Sequence, residues 1–404
     1  MEKKLSDKDK IKELLIRGVE EVIDKANLEK KLKSKKKLRV KLGIDPTSPN
    51  IHLGRSIALL KLKDFQELGH KIIFIIGDFT GLIGDASDKD SERQMLSKET
   101  IKQNLKTYIK QVSKIIDINN AEIYHNSKWL KKLDYLEIGR QANIFSLNEF
   151  ISRDNINRRL EKGKTVSLRE VLYPLMQGYD SVAIKADIEI GGTDQRFNIL
   201  TGRDMQKFYN QEPQDIIINP LIEGLDGRKM SSSWGNTINL LDSFDDMFGK
   251  IMSLKDELII KYFTLLTRVD TKTIKEYEKN LNSGTNPRDI KLKLANEIVS
   301  MYHSKNIANS SQLNWENTFS KKMAPKNMPE IKVKKDAILI DVLIENNFIK
   351  SKTSARRLLE EKALKDFSNN NKITDIKTKV TQPFILKIGK KIFVKITIFK
   401  QNFE

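Results

Sequence analysis

Residues 38–76 constrain the fold more than any other stretch of the chain. A strand pattern over 38–44 runs through the turn signal Asp45-Pro46-Thr47-Ser48-Pro49-Asn50 into apolar residues at helical spacing over 52–68, and 72–76 is apolar throughout. Strand, helix and fully apolar strand make a βαβ unit, which implies a parallel sheet with a right-handed crossover. Ligands in such sheets bind beyond the carboxyl ends of the strands. Two polar clusters fall at that level: residues 77–85 after the second strand, and Gly191-Gly192-Thr193-Asp194-Gln195 after a strand pattern over 186–190.

Helical patterns over 101–116 and 166–179, with a further strand at 121–125, extend one α/β domain to residue 242. Ile11, Leu14, Leu15, Val19, Val22 and Ile23 have helical spacing and predict an N-terminal helix. Residues 243–323 read as an all-α domain, with helices at 259–266, 271–280 and 287–303. A linker over 324–335 contains Pro325 and Pro329, and 336–404 reads as a small α+β domain. Its helices are expected at 338–346 and 351–362, before β-rich sequence ending at 392–399.

No apolar stretch approaches the ~20 residues of a membrane span, and the charged first dozen residues lack the apolar centre of a signal peptide. Zero cysteines exclude disulfides, thiolate metal sites and a cysteine nucleophile, so a cytoplasmic location is expected. The net charge of +19 has two readings. Lysine far outnumbers arginine, as nucleotide bias alone would produce, yet residues 331–404 carry 17 basic and 8 acidic side chains, which favours a polyanionic partner.

Two short segments carry the chemistry. Ile51-His52-Leu53-Gly54-Arg55 opens the helix after the first strand, where unpaired N–H groups and the helix dipole favour phosphate; Gly54 lets a flat base approach the backbone. Arg228-Lys229-Met230-Ser231-Ser232-Ser233 puts a flexible ammonium and three hydroxyls between Gly227 and Gly235, as suits a loop that closes on a charged leaving group.

With residues 41–47, 75–81, Tyr179-Asp180-Ser181-Val182-Ala183 and 191–198 added in order, the chain resembles bacterial tyrosyl-tRNA synthetases over nearly its whole length, and most closely the Thermus-like branch. The resemblance implies a Rossmann-type class I catalytic domain with a parallel sheet, followed by an all-α anticodon-side domain. A small RNA-binding module similar to one in a ribosomal small-subunit protein completes it. It also implies a homodimer that takes ATP, L-tyrosine and tRNA(Tyr), with Mg²⁺ as a helper not held by a dedicated protein site. The signatures depart from HIGH and KMSKS at Arg55 and Ser232, and Ala86 and Asp88 stand where the family usually has proline and glycine.

By that resemblance Thr47 and His52 contact the outer phosphates and Lys229 the departing pyrophosphate, with Arg93 a further candidate. Gly54, Arg55, Gly192, Asp194, Ser231 and Ser232 complete the ATP site, Asp194 accepting from the ribose. Asp180 accepts the phenol hydrogen bond; Asp85, Tyr173 and Gln177 hold the ammonium; Gln195 touches the reacting carboxyl or α-phosphate. Lys41 and Gly43 line the tyrosine pocket, and Asp45 either contacts the adenylate or caps the Pro46 turn. In the tail Lys352, Ser354, Arg356 and Arg357 address RNA phosphates. Two other readings remain: a tryptophan-activating synthetase, and a synthetase-derived RNA-binding protein that lost catalysis through Arg55 and Ser232.

Overall fold

The computed structural model describes residues 7–34, 36–85, 94–320, 328–367, 369, 371–389 and 392–399. Arg93, Ala86 and Asp88 lie outside the described residues. The chain forms two compact units, Met1–Ala308 and Asn309–Glu404.

The first unit is built on six strands: β1 (Glu21–Ile23), β2 (Arg39–Ile44), β3 (Lys71–Ile76), β4 (Ala121–His125), β5 (Ile188–Gly192) and β6 (Asp215–Asn219). They lie in the order β1-β6-β5-β2-β3-β4, and every pairing is parallel except β1 with β6. Buried on both faces, Ile72 to Ile76 make β3 a central strand; each such side chain contributes about 1.5–3 kcal/mol on leaving water. The helix Leu53–Glu67 forms the crossover from β2 to β3 and buries Leu53, Ile57, Leu60 and Phe65. Because the chain runs to β3 on one side of β2 and returns to β5 on the other, the crevice between their carboxyl ends is the sheet's switch point.

The opening segment differs from the expected helix. A helix spans Asp7–Leu14, Gly18 turns the chain at φ 61°, and Val22 and Ile23 then join the sheet edge opposite Ile217 and Ile216. Apolar spacing alone could not reveal a three-residue strand whose partner lies almost two hundred positions away. The 101–116 helix is likewise two, Lys98–Leu105 and Tyr108–Val112.

Helices Phe244–Met252, Ile259–Leu266, Thr271–Asn282 and Pro287–Tyr302 belong to the same unit as the sheet. The last of them, and the connection between the second and third, hold the crossover helix directly. Arg268 donates to Leu60 O at 2.6 Å and pairs with Asp64 at 2.8 Å, while Tyr302 OH donates to Ser56 Oγ at 3.2 Å.

The second unit has a four-stranded sheet in the order β7-β10-β9-β8, formed by β7 (Glu330–Val333), β8 (Leu364–Asp366), β9 (Phe384–Ile388) and β10 (Ile392–Ile398). Helices Leu339–Glu345 and Lys352–Glu360 share its core of Leu339, Leu343, Leu364, Leu386, Val394 and Ile396. The expected linker over 324–335 therefore contains a strand: β7 pairs parallel with β10, burying Ile331 and Val333.

Candidate functional site

One cleft, with about 260 Å³ of room for water, opens at the carboxyl ends of β2 and β5. His52, Lys229 and Asp180 all line it, as do Thr47, Gly54, Arg55, Gly192, Asp194, Ser231 and Ser232 of the expected ATP site and Lys41, Gly43, Asp45, Asp85, Tyr173, Gln177 and Gln195 of the expected tyrosine site. Of the site residues expected from sequence outside the tail, Arg93 alone is not among them, since it lies outside the described residues.

The two signature segments meet through the backbone. Leu53 N–H donates to Ile238 O and Leu240 N–H to Ile51 O, so the chain just after the serine loop pairs with the entry to the crossover helix. Met230, itself buried, presents its sulfur to the Gly54 N–H at 3.2 Å. A Cβ on Gly54 would lie 3.0 Å from His52 Nδ1, so this glycine makes room for the imidazole as well as for a ligand. Burial pushes the His52 pKa down to about 3, with Arg55 and Lys229 adding to the shift, and the ring is neutral at physiological pH.

Lys229 pairs with Asp194 at 3.0 Å. Its loop is organised by Asn236, a buried residue that accepts from Ser231 N–H at 2.8 Å and donates to Lys229 O at 3.0 Å and Asp226 Oδ1 at 2.7 Å. The loop base is clasped from the helix Ile259–Leu266: Lys261 reaches both Glu223 carboxylate oxygens at 2.9 Å, and Tyr262 OH donates to Glu223 O at 2.6 Å.

Arg55 braces the turn after β2, donating to Asp45 O at 3.2 Å, Thr47 Oγ1 at 3.2 Å and Tyr108 OH at 2.8 Å. Asp45 is held by Thr80 Oγ1 at 2.7 Å and Tyr173 OH at 2.9 Å. Those contacts fix its carboxylate in the cleft. Gly77 is required beside it, because a Cβ there would fall 1.9 Å from Asp45 Oδ1.

The expected ammonium trio shares the cleft, but each member has a different partner: Tyr173 holds Asp45, Gln195 donates to Asp85 at 2.6 Å, and Gln177 donates to Glu189 at 3.3 Å. Lys41 spends its ammonium on Ser181 Oγ at 2.6 Å, Glu189 at 3.1 Å and Gln177 O at 3.3 Å. Asp180 is 4 % exposed and accepts from Trp129 Nε1 at 2.7 Å and Asn126 Nδ2 at 3.3 Å. Burial raises its pKa to about 7, against the lowering influence of Lys41, Trp129 and Asn126.

The chain matches the model of the family described as tRNA synthetases class I (W and Y) over residues 33–320. Among curated proteins it is similar to a tyrosine–tRNA ligase of Carboxydothermus hydrogenoformans, 44% identical with 96% of this chain and 98% of the relative covered. A tyrosine–tRNA ligase of Thermotoga maritima is 41% identical, with 95% and 97% covered. The chain belongs to the tyrosine–tRNA ligase family of class I synthetases. Its fold is shared by the solved tyrosyl-tRNA synthetase of Archaeoglobus fulgidus complexed with L-tyrosine, at TM-score 0.61 and 24% identity over 76% of this chain and 100% of that one. A C-terminally truncated mitochondrial tyrosyl-tRNA synthetase of Aspergillus nidulans aligns at TM-score 0.65 and 20% identity over 79% and 95%.

For a member of this family the unforeseen residues are Thr80, Tyr108, Asn126, Trp129, Glu189 and Asn236. Glu189 alone carried a sequence signal: a carboxylate between Ile188 and Ile190 in an apolar strand demands a buried partner. In the second unit, Lys352, Ser354, Arg356 and Arg357 lie on the helix Lys352–Glu360, which Ser351 caps by accepting from Ser354 N–H at 3.2 Å. Lys352 pairs with Asp341 at 3.1 Å and Arg357 with Glu361 at 2.9 Å; such exposed pairs contribute little to stability. Among the described residues no helix is long and apolar enough to cross a membrane, and no three His, Asp or Glu side chains form a group that could hold a metal ion.

Proposed function

We propose that the chain activates L-tyrosine with ATP and transfers the tyrosyl group to the 3′-terminal adenosine of tRNA(Tyr). A tyrosine carboxylate oxygen attacks the α-phosphorus, the bond to the β-phosphate oxygen breaks, and pyrophosphate leaves. A terminal ribose hydroxyl then attacks the tyrosyl carbonyl and releases AMP. The carboxylate is already a nucleophile, so no general base is needed in the first step, and catalysis rests on in-line positioning and charge stabilisation.

The observation that carries this reading is that Asp180 lies in the same cleft as His52 and Lys229. Asp180 accepts from the phenol, and Asp85, Tyr173 and Gln177 hold the ammonium. Gln195 addresses the reacting carboxyl, while Thr47 and neutral His52 hydrogen-bond the outer phosphates. Asp194 has two claimants, the ribose hydroxyls and Lys229. ATP binding then frees the ammonium for the pyrophosphate as the ribose takes its place. Arg55 supports the phosphate end through the turn that carries Thr47. We place Mg²⁺ on the triphosphate itself.

The same reading makes the protein a cytoplasmic homodimer of the Thermus-like branch, with 243–323 on the anticodon side and the basic tail gripping RNA. Lys41, at the position where another branch has tyrosine, favours that branch. Exposed Tyr135, Leu136, Leu147 and Leu168 favour a second copy as their cover. Tyrosine-dependent ATP–pyrophosphate exchange tests the function, with phenylalanine and tryptophan as controls and Lys229→Ala as the negative. Exchange with tyrosine alone is expected. Tryptophan-driven exchange would select the tryptophan-activating alternative, and RNA binding without any exchange would select a protein that has lost catalysis.

A further inference from the structure

Beside the residues just assigned, the cleft wall holds a charge pair that this reaction does not consume. Lys41 on β2 and Glu189 on β5 are register partners in the parallel sheet, 0% and 2% exposed, with Nζ and Oε2 3.1 Å apart. Lys41 has three ammonium hydrogens and three protein acceptors, Glu189, Ser181 Oγ and Gln177 O, so no donor is left over for a phenol. Glu189 accepts in turn from Gln214 at 2.6 Å, Ser181 at 3.1 Å and Gln177 at 3.3 Å. A buried ion pair is seldom more stabilising than apolar packing of the same volume, so stability is a poor account of why one stands here.

Its position supplies a better one. Ser181, which bridges both charges, is next to Asp180 on the helix Leu168–Ile184. The charged and titratable groups facing Asp180 are Lys41 from β2, Glu189 from β5 and Tyr173 from its own helix; the segment after β4 presents neutral Asn126 and Trp129. We propose that the Lys41–Glu189 pair is a specificity-setting device whose fixed, opposite charges beside Asp180 govern the ionisation of that carboxylate, and thereby how strongly a phenol is preferred to a bare ring. The proposal rests on the tyrosine reading of the pocket. Ionised Asp180 can only accept: it takes the phenol O–H, and a ring without a hydroxyl leaves it a buried, unpaired anion. Protonated Asp180 loses most of that penalty, so discrimination follows ionisation. Of the two charges Lys41 acts more strongly, lowering the pKa that burial raises, while Glu189 raises it.

The test reads Asp180 directly. The side-chain carboxyl ¹³C signal, assigned by its loss in Asp180→Asn, is titrated in the ligand-free protein, and tyrosine and phenylalanine affinities are followed against pH. Glu189→Gln is expected to lower the Asp180 midpoint by about one pH unit and Lys41→Met to raise it by at least as much. The tyrosine-to-phenylalanine affinity ratio at neutral pH should rise in the first and fall in the second, by up to about tenfold for each pH unit the midpoint moves. The double variant Lys41→Met/Glu189→Gln leaves no lone buried charge, so the answer does not hang on the folding of either single; its midpoint should lie above the unmutated value and below that of Lys41→Met. Coincident midpoints, or singles moving in the same direction as a merely structural pair would give, overturn the proposal. Opposite shifts in a protein that binds no tyrosine would uphold the electrostatics and overturn the tyrosine reading instead.

Discussion

Asn236→Ala probes the loop that carries Lys229 without removing any side chain assigned to substrate. The side chain makes three short contacts that alanine cannot, to Ser231 N–H, to Lys229 O and to the Asp226 carboxylate, and a longer one to Arg228 O at 3.4 Å. Neutral hydrogen bonds contribute about 1 kcal/mol each and one to a carboxylate about 2 kcal/mol, roughly 4 kcal/mol in all. The loop is half-exposed, so water recovers part of this, and about 2–3 kcal/mol of loop ordering is lost. If that ordering is what holds Lys229 ready for the leaving group, the loss falls on the transition state, and kcat for pyrophosphate exchange drops by about 10²-fold. The residues proposed for tyrosine, Asp180, Asp85, Tyr173 and Gln177, lie outside this loop, so the tyrosine KM should stay within about twofold of the unmutated value. A kcat within about threefold of the unmutated protein would refute the reasoning. A tyrosine KM that climbed in step with the fall in kcat would refute it too, because the damage would then be general.

Three further outcomes are expected. Asp180 has its pKa raised from 3.8 to about 7 on folding; the unfolded chain ionises first as pH rises, so stability present below about pH 4 is lost towards pH 7, by up to about 4 kcal/mol. Asp180→Asn should therefore gain on the unmutated protein between acid and neutral pH in urea unfolding, and a pH-independent difference would contradict this. His52, depressed to about 3, should remain neutral across about pH 5–8, visible as invariant imidazole ¹⁵N shifts, and a midpoint near 6.5 would show the ring to be hydrated. Gly77→Ala drives a methyl into Asp45 Oδ1 and Thr80 Oγ1, so loss of the two Asp45 hydrogen bonds should destabilise by about 3 kcal/mol, measured by thermal unfolding; an unchanged transition would mean that Asp45 is not fixed there.

What the sequence made legible was local or periodic. The β2–helix–β3 unit could be read because its patterns change from strand to helix and back within forty residues, and the signature segments because their residue types match phosphate chemistry. Convergence of His52, Lys229 and Asp180 on one cleft follows from the sheet's switch point, which the alternation of strands and helices implied. β1 and β7 stayed hidden because a strand of three or four residues takes its identity from a distant partner. Asn236 and Trp129 left no trace for the same reason: an asparagine after a glycine reads as a turn, and a tryptophan among lysines as a surface ring. Lys41 was placed in the pocket by resemblance, and its actual engagement depends on facing Glu189 across a register that pattern alone does not fix.

The most direct measurement is a crystal structure with a non-hydrolysable sulfamoyl analogue of tyrosyl-adenylate. The phenol oxygen should lie within about 3 Å of an Asp180 oxygen, the ribose hydroxyls at Asp194, and Lys229 should have left Asp194 for the position of the departing phosphates near His52. An analogue seated with its phenol away from Asp180, or with the Lys229–Asp194 pair intact beneath the ribose, would contradict the account.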